Sequence, residues 1–466
     1  MRKVLWICNI MLPVIAREFS LSYSNREGWL SGIFERVKEG EAPFTLSVCF
    51  PVTKEQMEVL PAEVLSDGVN VHGIRCFGFL EDLAHPETYD NSLEERFCQI
   101  FAADKPDMIH IFGTEFPHTL AAVRAFDNPK RTLIGIQGLC HEIARVYMAD
   151  LPEKVQNMVT LRDFLRRDSL KQQQEKFIKR GEYEIEAIEK TGYITGRTAF
   201  DRRGTSYVNE RAIYYRMNET MRDSFYEGEW DRNACEEHSI FLGQGDYPLK
   251  GLHFLLEAMP RILAMYPDTR LYVAGNRITA HHTLKEKIKL PAYGKYLLTL
   301  IRRYHLEDKV TFTGNLPEQE MKERFLKSHV FVCASVLENS PNTVGEAMLL
   351  GVPVAASWAG GIPDMITDGQ EGLLFTKGDP EKLAEAVLRI FGDEAFCAKI
   401  SEAEKRRARM AHNGVLNYER LLVRRADQGE AEAGGRPAHP HRKDRKAKVW
   451  LRIWTGFSSS LQPNSA

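Results

Sequence analysis

The chain has 466 residues, enough for two domains that each bury a hydrophobic core. Its 62 Lys and Arg against 64 Asp and Glu leave no general positive field, which argues against a nucleic-acid-binding protein, and no apolar run reaches the ~20 residues of a membrane span. The eight cysteines show neither a CxxC pair nor zinc-site spacing, so we expect reduced thiols and a cytoplasmic protein.

The first half of the chain alternates short apolar runs with amphipathic segments. The apolar runs predict buried strands at residues 3–8, 44–50, 71–77, 107–112 and 132–137. Helical spacing between them indicates a parallel sheet with helices on both faces. A long charged helix is predicted from about 154 to 190, followed by a strand in GYIT.

The same pattern restarts near His238. Six further strands are predicted, in HSIFLG, TRLYVAG, KVTFTG, VFVCAS, VPVAAS and GLLF. The predicted fold class is therefore α/β, with two Rossmann-like doubly wound domains facing an interdomain cleft, where ligands bind at the carboxyl ends of the strands.

Changes of composition divide the chain into five predicted segments. These are a first domain (1–211), a polar connector (212–237), a second domain (238–395), C-terminal helices that pack back on the first domain (396–424) and a disordered tail (425–466). The end of the tail, KAKVWLRIWTGF, fits either an interfacial membrane anchor or a tail without function.

Residues 338–346, ENSPNTVGE, place two acids around a predicted helix start. Ser340 is the predicted N-cap, Pro341 takes the first helical position, and the helix stops at Gly351. Glu338 and Glu346 then face the free amides at the helix N-terminus, where an anion is favoured. These residues alone fit equally an N-capped helix with two solvated acids.

The longer block SVLENSPNTVGEAMLLGVPVAASWAGGIPDMITDGQEGLLF resembles the donor site of glycosyltransferase family 4, whose members are retaining enzymes of the GT-B fold. The order is Glu, seven residues, Glu, then Gly-x-Pro-Val, Gly-Gly-x-x-Asp and Asp-Gly-x-x-Gly. The runs YITGRTAFD and YYRMNETMRDSFY are similar to members that build bacterial surface polysaccharides. The resemblance covers residues 1–424 at the level of the fold and 238–424 at the level of motifs.

The resemblance implies roles for the two acids and the helix start. Glu346 binds the ribose of a nucleotide-diphosphate sugar, and Glu338 reaches the donor sugar near the reacting carbon as a catalytic residue. Carboxylates suit both tasks because they accept two hydrogen bonds from vicinal hydroxyls. The remaining donor-site residues of this segment are Ser340, Pro341, Asn342, Thr343 and Val344, the last three through their amides.

A diphosphate also requires positive charge. The segment FLGQGDYPLKG resembles the family's G-R-x5-K-G, which implies that Lys250 acts as the second catalytic residue on the phosphate; the alternative is a solvated loop lysine. Gln244 stands where the family has Arg and is expected to line the donor site. Arg197, after GYIT, is expected to supply the missing charge across the cleft, or else to pair with Asp201.

The first domain offers fewer legible site residues. Gly28 begins a predicted helix after the first strand and either contacts the donor or serves a turn. His110 and Gln137 sit at strand ends expected to line the acceptor side of the cleft, together with Glu115. The alternatives are a core histidine for His110 and a solvated acid for Glu115, while Gln137, where many family members have His, can orient a substrate but not transfer a proton.

The implied reaction is a same-face displacement in which the leaving diphosphate helps to take the proton of a glycan or lipid-linked acceptor. No Asp-x-Asp clamp is present, so we expect neither a metal nor another cofactor. A basic helix predicted at 161–180 fits peripheral contact with anionic lipid at the inner face of the membrane, or else a solvated amphipathic helix.

Two other functions stay open at this point. A non-catalytic sugar-nucleotide-binding protein is suggested by the lost arginine at Gln244. A dinucleotide-dependent oxidoreductase would need G-x-G-x-x-G after a first strand, and neither KVLWICNIMLP nor HSIFLGQGDYPLKG offers it.

Overall fold

The first of two sheets belongs to the first domain of the chain. The computed structural model describes residues 2–21, 28–39 and 43–420. The first sheet is built from β1 (Arg2–Ile7), β2 (Phe44–Val52), β3 (Val69–Val71), β4 (Ile74–Leu80), β5 (Met108–Phe112), β6 (Thr132–Gly135), β7 (Tyr193–Gly196) and β8 (Ile213–Arg216). Their order is β3-β4-β2-β1-β5-β6-β7-β8, and every pair except β3–β4 is parallel.

The second sheet is parallel throughout. It is built from β9 (Glu236–Leu242), β10 (Arg270–Ala274), β11 (Val310–Gly314), β12 (Ser328–Cys333), β13 (Val354–Ser357) and β14 (Leu373–Phe375). The strands lie in the order β11-β10-β9-β12-β13-β14. Strands β10 and β11 are therefore added on one side of β9 and the later strands on the other, and a doubly wound sheet forms its ligand crevice at this point, between β9 and β12.

Helices cover both faces of each sheet. Those of the first domain are α1 (Pro13–Glu18), α2 (Gly28–Glu39), α3 (Lys54–Met57), α4 (Ser92–Asp104), α5 (Pro117–Phe126), α6 (Cys140–Val146), α7 (Glu153–Gln156), α8 (Leu161–Arg166), α9 (Leu170–Glu189) and α10 (Ala199–Val208). The second domain carries α11 (Leu252–Met265), α12 (Leu284–Ile288), α13 (Ala292–Arg303), α14 (Glu318–Leu326), α15 (Asn342–Leu350), α16 (Ile362–Met365), α17 (Pro380–Gly392) and α18 (Glu394–Ala411). The described chain ends in a short helix, α19, at 414–420.

Strand β1 shows why the central strands are continuously apolar. Val4 and Trp6 belong to the core cluster on one face of the sheet, while Leu5 and Ile7 belong to the cluster on the other. Successive side chains of a strand point to opposite faces, so a sheet covered on both sides needs apolar residues at every position. The prediction of two doubly wound domains is confirmed.

Two predicted elements are divided in the structure. The strand predicted at 71–77 is a hairpin, because His72 and Gly73 take positive φ angles of 51° and 85° and form the tight turn between β3 and β4. The long helix predicted from 154 to 190 is three helices. It is interrupted because Arg167 ends α8 with a φ of 50° and Ser169 caps α9 with its side chain.

The predicted domain boundaries also shift. Strand β8 completes the first sheet, so the connector runs from 217 to 235 rather than from 212. Helix α18 packs on α15 of the second domain, against the prediction for 396–424. Within the described part of that segment, Tyr418 packs against a first-domain core cluster.

Two sequence predictions concern the C-terminal segment and the membrane. The disordered tail and membrane anchor predicted within 425–466 lie outside the described residues. Within the described part of the chain, no helix is both long and apolar enough to cross a bilayer.

Candidate active site

A cavity of about 900 Å³ lies between the two sheets and is lined by both domains and the connector. Glu115, Gln137 and Arg197 line it from the first domain, after the adjacent strands β5, β6 and β7. Lys250 and Glu338 line it from the second domain, after β9 and β12, which are also neighbours. In a parallel sheet the carboxyl ends of the strands lie at the same edge, so each domain presents its residues to the cavity from that edge of its sheet.

The N-terminus of α15 forms part of the cavity wall, but it begins later than predicted. The helix starts at Asn342 with Pro341 as N-cap in an extended conformation, so the predicted cap by Ser340 is wrong; the Ser340 hydroxyl contacts the sulfur of Met365 at 3.6 Å. Both Ser340 and Pro341 line the cavity. The predicted end at Gly351 is confirmed, with a φ of 77°.

The later start changes which amides are free. The Val344 amide donates to the Pro341 carbonyl at 3.0 Å, so its predicted contact with phosphate is wrong. The amides of Asn342 and Thr343 have no hydrogen-bond partner within the described residues, and both residues line the cavity. The helix therefore offers two free donors to an anion.

Lys250 and Glu338 form an ion pair in the cavity wall. The Lys250 ammonium donates to Glu338 Oε1 at 2.5 Å, and the Ser335 hydroxyl donates to the same oxygen at 2.8 Å. Burial alone would lower the pKa of Lys250, but the charges of Glu338 and Tyr247 raise it above its ordinary value, so the ammonium stays charged. The alternative of a solvated loop lysine is wrong, since the side chain is 20% exposed.

Glu346 pairs with an arginine that the sequence did not point to. Arg222 of the connector donates to Glu346 Oε1 through Nε at 2.9 Å and Nη2 at 2.6 Å. Burial raises the pKa of Glu346 to about 7, even though Arg222 opposes the shift. Neither Glu346 nor Glu338 is a solvated acid, so that alternative is wrong.

Arg197 is buried, and its charge is already paired. Its guanidinium forms an ion pair with Glu219 and donates to the Gln137 carbonyl at 2.7 Å. Asp201 accepts instead from the Arg197 backbone amide at 2.7 Å, so the expected ion pair between these two side chains is wrong. A contact from Arg197 to the donor stays a prediction, as does one from Gln244, which lines the cavity.

His110 does not line the cavity as predicted. It lies within β5 at 0% exposure, with its ring 4.0 Å from the ring centre of Phe112. Every side chain of β5 is buried, so alternation along the strand does not reveal which ones approach the cleft. His110 is a core residue, and its assignment to the acceptor side is wrong.

Glu115 and Gln137 do reach the cavity. Glu115 accepts from the backbone amides of Thr114 and Gly138, each at 2.8 Å, and burial raises its pKa. Glu115 is therefore not a solvated acid. Its carboxylate joins the loops that follow β5 and β6. The Gln137 amide nitrogen is buried without a partner in the described part of the chain. It remains available to orient a ligand.

A series of buried polar side chains supports Gln137, and no sequence motif indicates it. Asn9 donates to Gln137 Oε1 at 3.4 Å, and Asn9 Oδ1 lies 3.2 Å from His118 Nε2. His118 Nδ1 lies 2.7 Å from Glu81 Oε2. These hydrogen bonds link residues up to 128 positions apart in the sequence, so no local motif reveals them.

Gly28 starts α2 as predicted, and its contact with a donor stays a prediction.

Direct contacts join the two domains beside the cavity. The Thr198 hydroxyl donates to Asn339 Oδ1 at 2.6 Å, and Asn339 Nδ2 donates to the Gln137 carbonyl at 3.0 Å. The Ala199 amide, at the start of α10, donates to Asp364 Oδ2 at 2.8 Å. Asp364 is the acid of the Gly-Gly-x-x-Asp motif, which here serves the domain interface.

The elements that carry Lys250, Glu338, Glu346 and the start of α15 all fall in one stretch of the chain. Residues 229–407 match the family of glycosyl transferases group 1. The predicted resemblance to glycosyltransferases is confirmed for this stretch of the chain, while the assignment to glycosyltransferase family 4 stays a prediction. The match also favours a group 1 glycosyltransferase over the dinucleotide-dependent oxidoreductase.

Curated relatives are similar to part of this chain. The amylovoran biosynthesis glycosyltransferase AmsK of Erwinia amylovora is 30% identical over 175 residues, which are 34% of this chain and 43% of AmsK. Among the first curated relatives, the matched stretch spans between 31% and 46% of the relative's own length. The chain therefore spans less than half of the length of these relatives.

Solved structures are similar over both domains. Sucrose-phosphate synthase from Thermosynechococcus elongatus is 17% identical with a TM-score of 0.65, covering 92% of this chain and 100% of that one. Anabaena HepE, solved in complex with UDP and glucose, is 15% identical with a TM-score of 0.61, covering 92% of this chain and 100% of HepE. At this identity the likeness concerns the fold, and it confirms the predicted GT-B architecture.

Proposed function

We propose that this chain is a retaining glycosyltransferase that moves a sugar from a nucleotide-diphosphate donor to a glycan or lipid-linked acceptor in cell-surface polysaccharide synthesis. One observation carries the proposal. A single interdomain cavity contains a lysine–carboxylate pair, a buried second carboxylate and the free amides of a helix start. These groups match the three parts of a sugar nucleotide, namely sugar, ribose and diphosphate.

The roles follow from charge and position. Lys250 and the amides of Asn342 and Thr343 neutralise the leaving diphosphate, which needs no metal ion for this purpose. Glu338, held by Lys250 and Ser335, accepts hydrogen bonds from hydroxyls of the donor sugar. Glu346 accepts those of the ribose. Catalysis then rests on positioning and on stabilisation of the leaving group.

The acceptor approaches from the first domain. Gln137 presents an unpaired amide nitrogen on that wall, and the chain through Asn9 and His118 fixes its orientation. Because an amide cannot remove a proton, the departing diphosphate takes the proton of the acceptor hydroxyl on the same face of the sugar. The sugar therefore keeps its anomeric configuration.

Transfer is tested with the purified full chain, a panel of UDP- and GDP-sugars and lipid-linked or oligosaccharide acceptors. We expect release of nucleoside diphosphate that depends on the acceptor and persists in EDTA, with the donor's anomeric configuration kept in the product by NMR. Binding of a sugar nucleotide without transfer to any acceptor would favour the non-catalytic binding protein. An inverted product would contradict the retaining mechanism.

We also propose that the first domain contacts the inner face of the membrane from the cytoplasm. The exposed fractions of Leu161, Phe164 and Leu165 are 56%, 72% and 68%, respectively, and the neighbouring Arg166 and Arg167 are exposed. Apolar side chains ringed by basic ones suit an anionic lipid surface.

Vesicle flotation tests the membrane contact. The wild-type chain should float with phosphatidylglycerol vesicles at low salt and less at high salt, while Phe164→Ser/Leu165→Ser should stay at the bottom. Leu284→Ser is the matched control, since Leu284 is 76% exposed on α12 of the second domain. Equal flotation of all three proteins would contradict this surface.

A further inference from the structure

Arg222 is a cavity residue for which the sequence motifs provide no role. It lies in the connector between the domains, and its guanidinium is 4.5 Å from the ring centre of Phe225. Both of its hydrogen bonds to Glu346 end on the same oxygen, Oε1. The other oxygen, Oε2, has no hydrogen-bond partner among residues 2–21, 28–39 and 43–420.

The groups around Glu346 come from several elements. Arg222 and Glu219 belong to the connector, and Glu318 of α14 lies 3.8 Å from the Arg222 guanidinium. His412 approaches the backbone of α15 at Gly345, but burial lowers its pKa to about 4, so it is neutral near pH 7. Glu219 is paired with Arg197. Among the residues that the structure describes, Arg222 is therefore the cation that faces Glu346.

We propose that Arg222 is a positioning residue of the donor site, which favours the ionised form of the Glu346 carboxylate and leaves Oε2 facing the cavity to accept ribose hydroxyls. This inference rests on the proposed function, because it concerns the same nucleotide site. It assigns Arg222 an action through Glu346 and no direct contact with the diphosphate, since Nε and Nη2 are both engaged by Oε1 and Nη1 lies 3.8 Å from Glu318 Oε2.

The electrostatics of the pair support this role. Burial is the largest influence on Glu346 and favours its neutral form, while Arg222 is the main opposing influence. A protonated carboxyl group carries an O–H donor and keeps fewer acceptor sites than a carboxylate, so it binds the donating hydroxyls of a ribose less well. Removing Arg222 should therefore leave Glu346 in place but protonated at neutral pH.

Nucleotide affinity should increase with pH around neutrality. Nucleotide binding requires ionised Glu346, so wild-type affinity should rise as pH increases through about 7 and then level off. In Arg222→Met the pKa of Glu346 rises further, so the same increase should occur at higher pH. We expect binding roughly tenfold or more weaker than wild type at pH 7, and within about threefold at pH 9.

Calorimetry between pH 6 and 9 with UDP and with GDP measures this profile. Arg222→Lys should restore part of the affinity at pH 7, because it returns the charge without the two-point contact. Glu346→Gln should bind weakly with no step near pH 7. Arg232→Met is the matched control, as Arg232 lies in the same connector and pairs with Glu237 of β9, and it should follow the wild-type profile.

The outcomes separate the two proposals. If wild type binds a nucleotide but Arg222→Met shows the wild-type pH profile, the role of Arg222 is wrong and the proposed function stands. If Arg222→Met loses the same affinity at every pH, the proposed role of Arg222 is also wrong, since a direct contact with the phosphate would behave in this way. Binding of neither nucleotide by the wild type, with no sugar transfer, would overturn the proposed function itself.

A ligand-free measurement adds an independent test. Thermal midpoints of Arg222→Met, Glu346→Gln and the double variant give the coupling between the two side chains. The coupling should be larger at pH 9, where Glu346 is ionised, than at pH 6. Absence of coupling at both values would contradict the charge pair.

Discussion

Lys250 carries most of the positive charge at the proposed leaving group. In Lys250→Met we expect kcat to fall roughly 100-fold or more, the typical cost of removing one charge-stabilising donor from an active site. The sugar nucleotide should still bind, because Glu346 and the α15 amides remain. Steady-state kinetics with a saturating acceptor would test this, with Lys382→Met, an exposed ion-pair lysine on α17, as the control. A change confined to KM would assign Lys250 to binding alone.

Site residues could be predicted from the sequence when they belong to a local motif, and could not when their partners lie far away in the chain. Glu338, Glu346 and Lys250 could be predicted because they belong to local motifs with fixed spacing around a helix or strand end. Arg222 could not, since it reaches Glu346 across 124 positions from a connector without periodicity. His110 was misassigned because a strand buried on both faces carries no signal of which end faces a cleft.

At the level of elements, the helix starts were the least predictable features. Proline at a first helical position is common, but here Pro341 takes an extended conformation, and its carbonyl accepts the Val344 and Gly345 amides. The break between α8 and α9 depends on one left-handed residue, Arg167. Arginine is not a typical residue for that conformation, so composition alone predicted one continuous helix.

Helix α18 carries a buried acid whose ionisation should oppose folding. Glu404 is 0% exposed, and burial raises its pKa well above the ordinary value. The folded state therefore holds a proton that the unfolded state releases, so stability falls as pH rises above the unfolded pKa, by up to about 1.4 kcal/mol per pH unit. In Glu404→Gln this loss should be absent.

Scanning calorimetry at pH 5 and pH 8 tests the acid on α18. We expect the difference in thermal midpoint between Glu404→Gln and the wild type to shift in favour of the variant as the pH rises. Glu402→Gln, an exposed site on the same helix, should show no such trend. A difference for Glu404→Gln that stays constant between the two pH values would contradict a protonated, buried Glu404.

On the scale of the whole molecule, the two-domain architecture was the most predictable feature. Apolar runs of strand length separated by amphipathic helices repeat twice, and this order favours parallel sheets with right-handed crossovers. The way the domains meet was not predictable, because it depends on single hydrogen bonds such as those of Thr198 with Asn339 and Ala199 with Asp364.

These interdomain bonds should hold the cleft closed. In Asp364→Ala the Ala199 amide loses its partner across the interface, so we expect a larger radius of gyration by X-ray scattering without nucleotide. Asp368→Ala is the control, because Asp368 accepts from Leu374 within the second domain. An unchanged scattering curve for Asp364→Ala would show that other contacts set the domain arrangement.

In the proposed function, the tip of α15 and its flanking acids bind the nucleotide part of a sugar donor. Calorimetric titration of the wild type and Glu346→Ala with UDP and GDP tests it most directly. A hydrogen bond to a charged group contributes ~1.5 to 3 kcal/mol, so we predict that Glu346→Ala binds the preferred nucleotide roughly 10- to 100-fold more weakly than the wild type. Equal affinity of the two proteins would contradict the account.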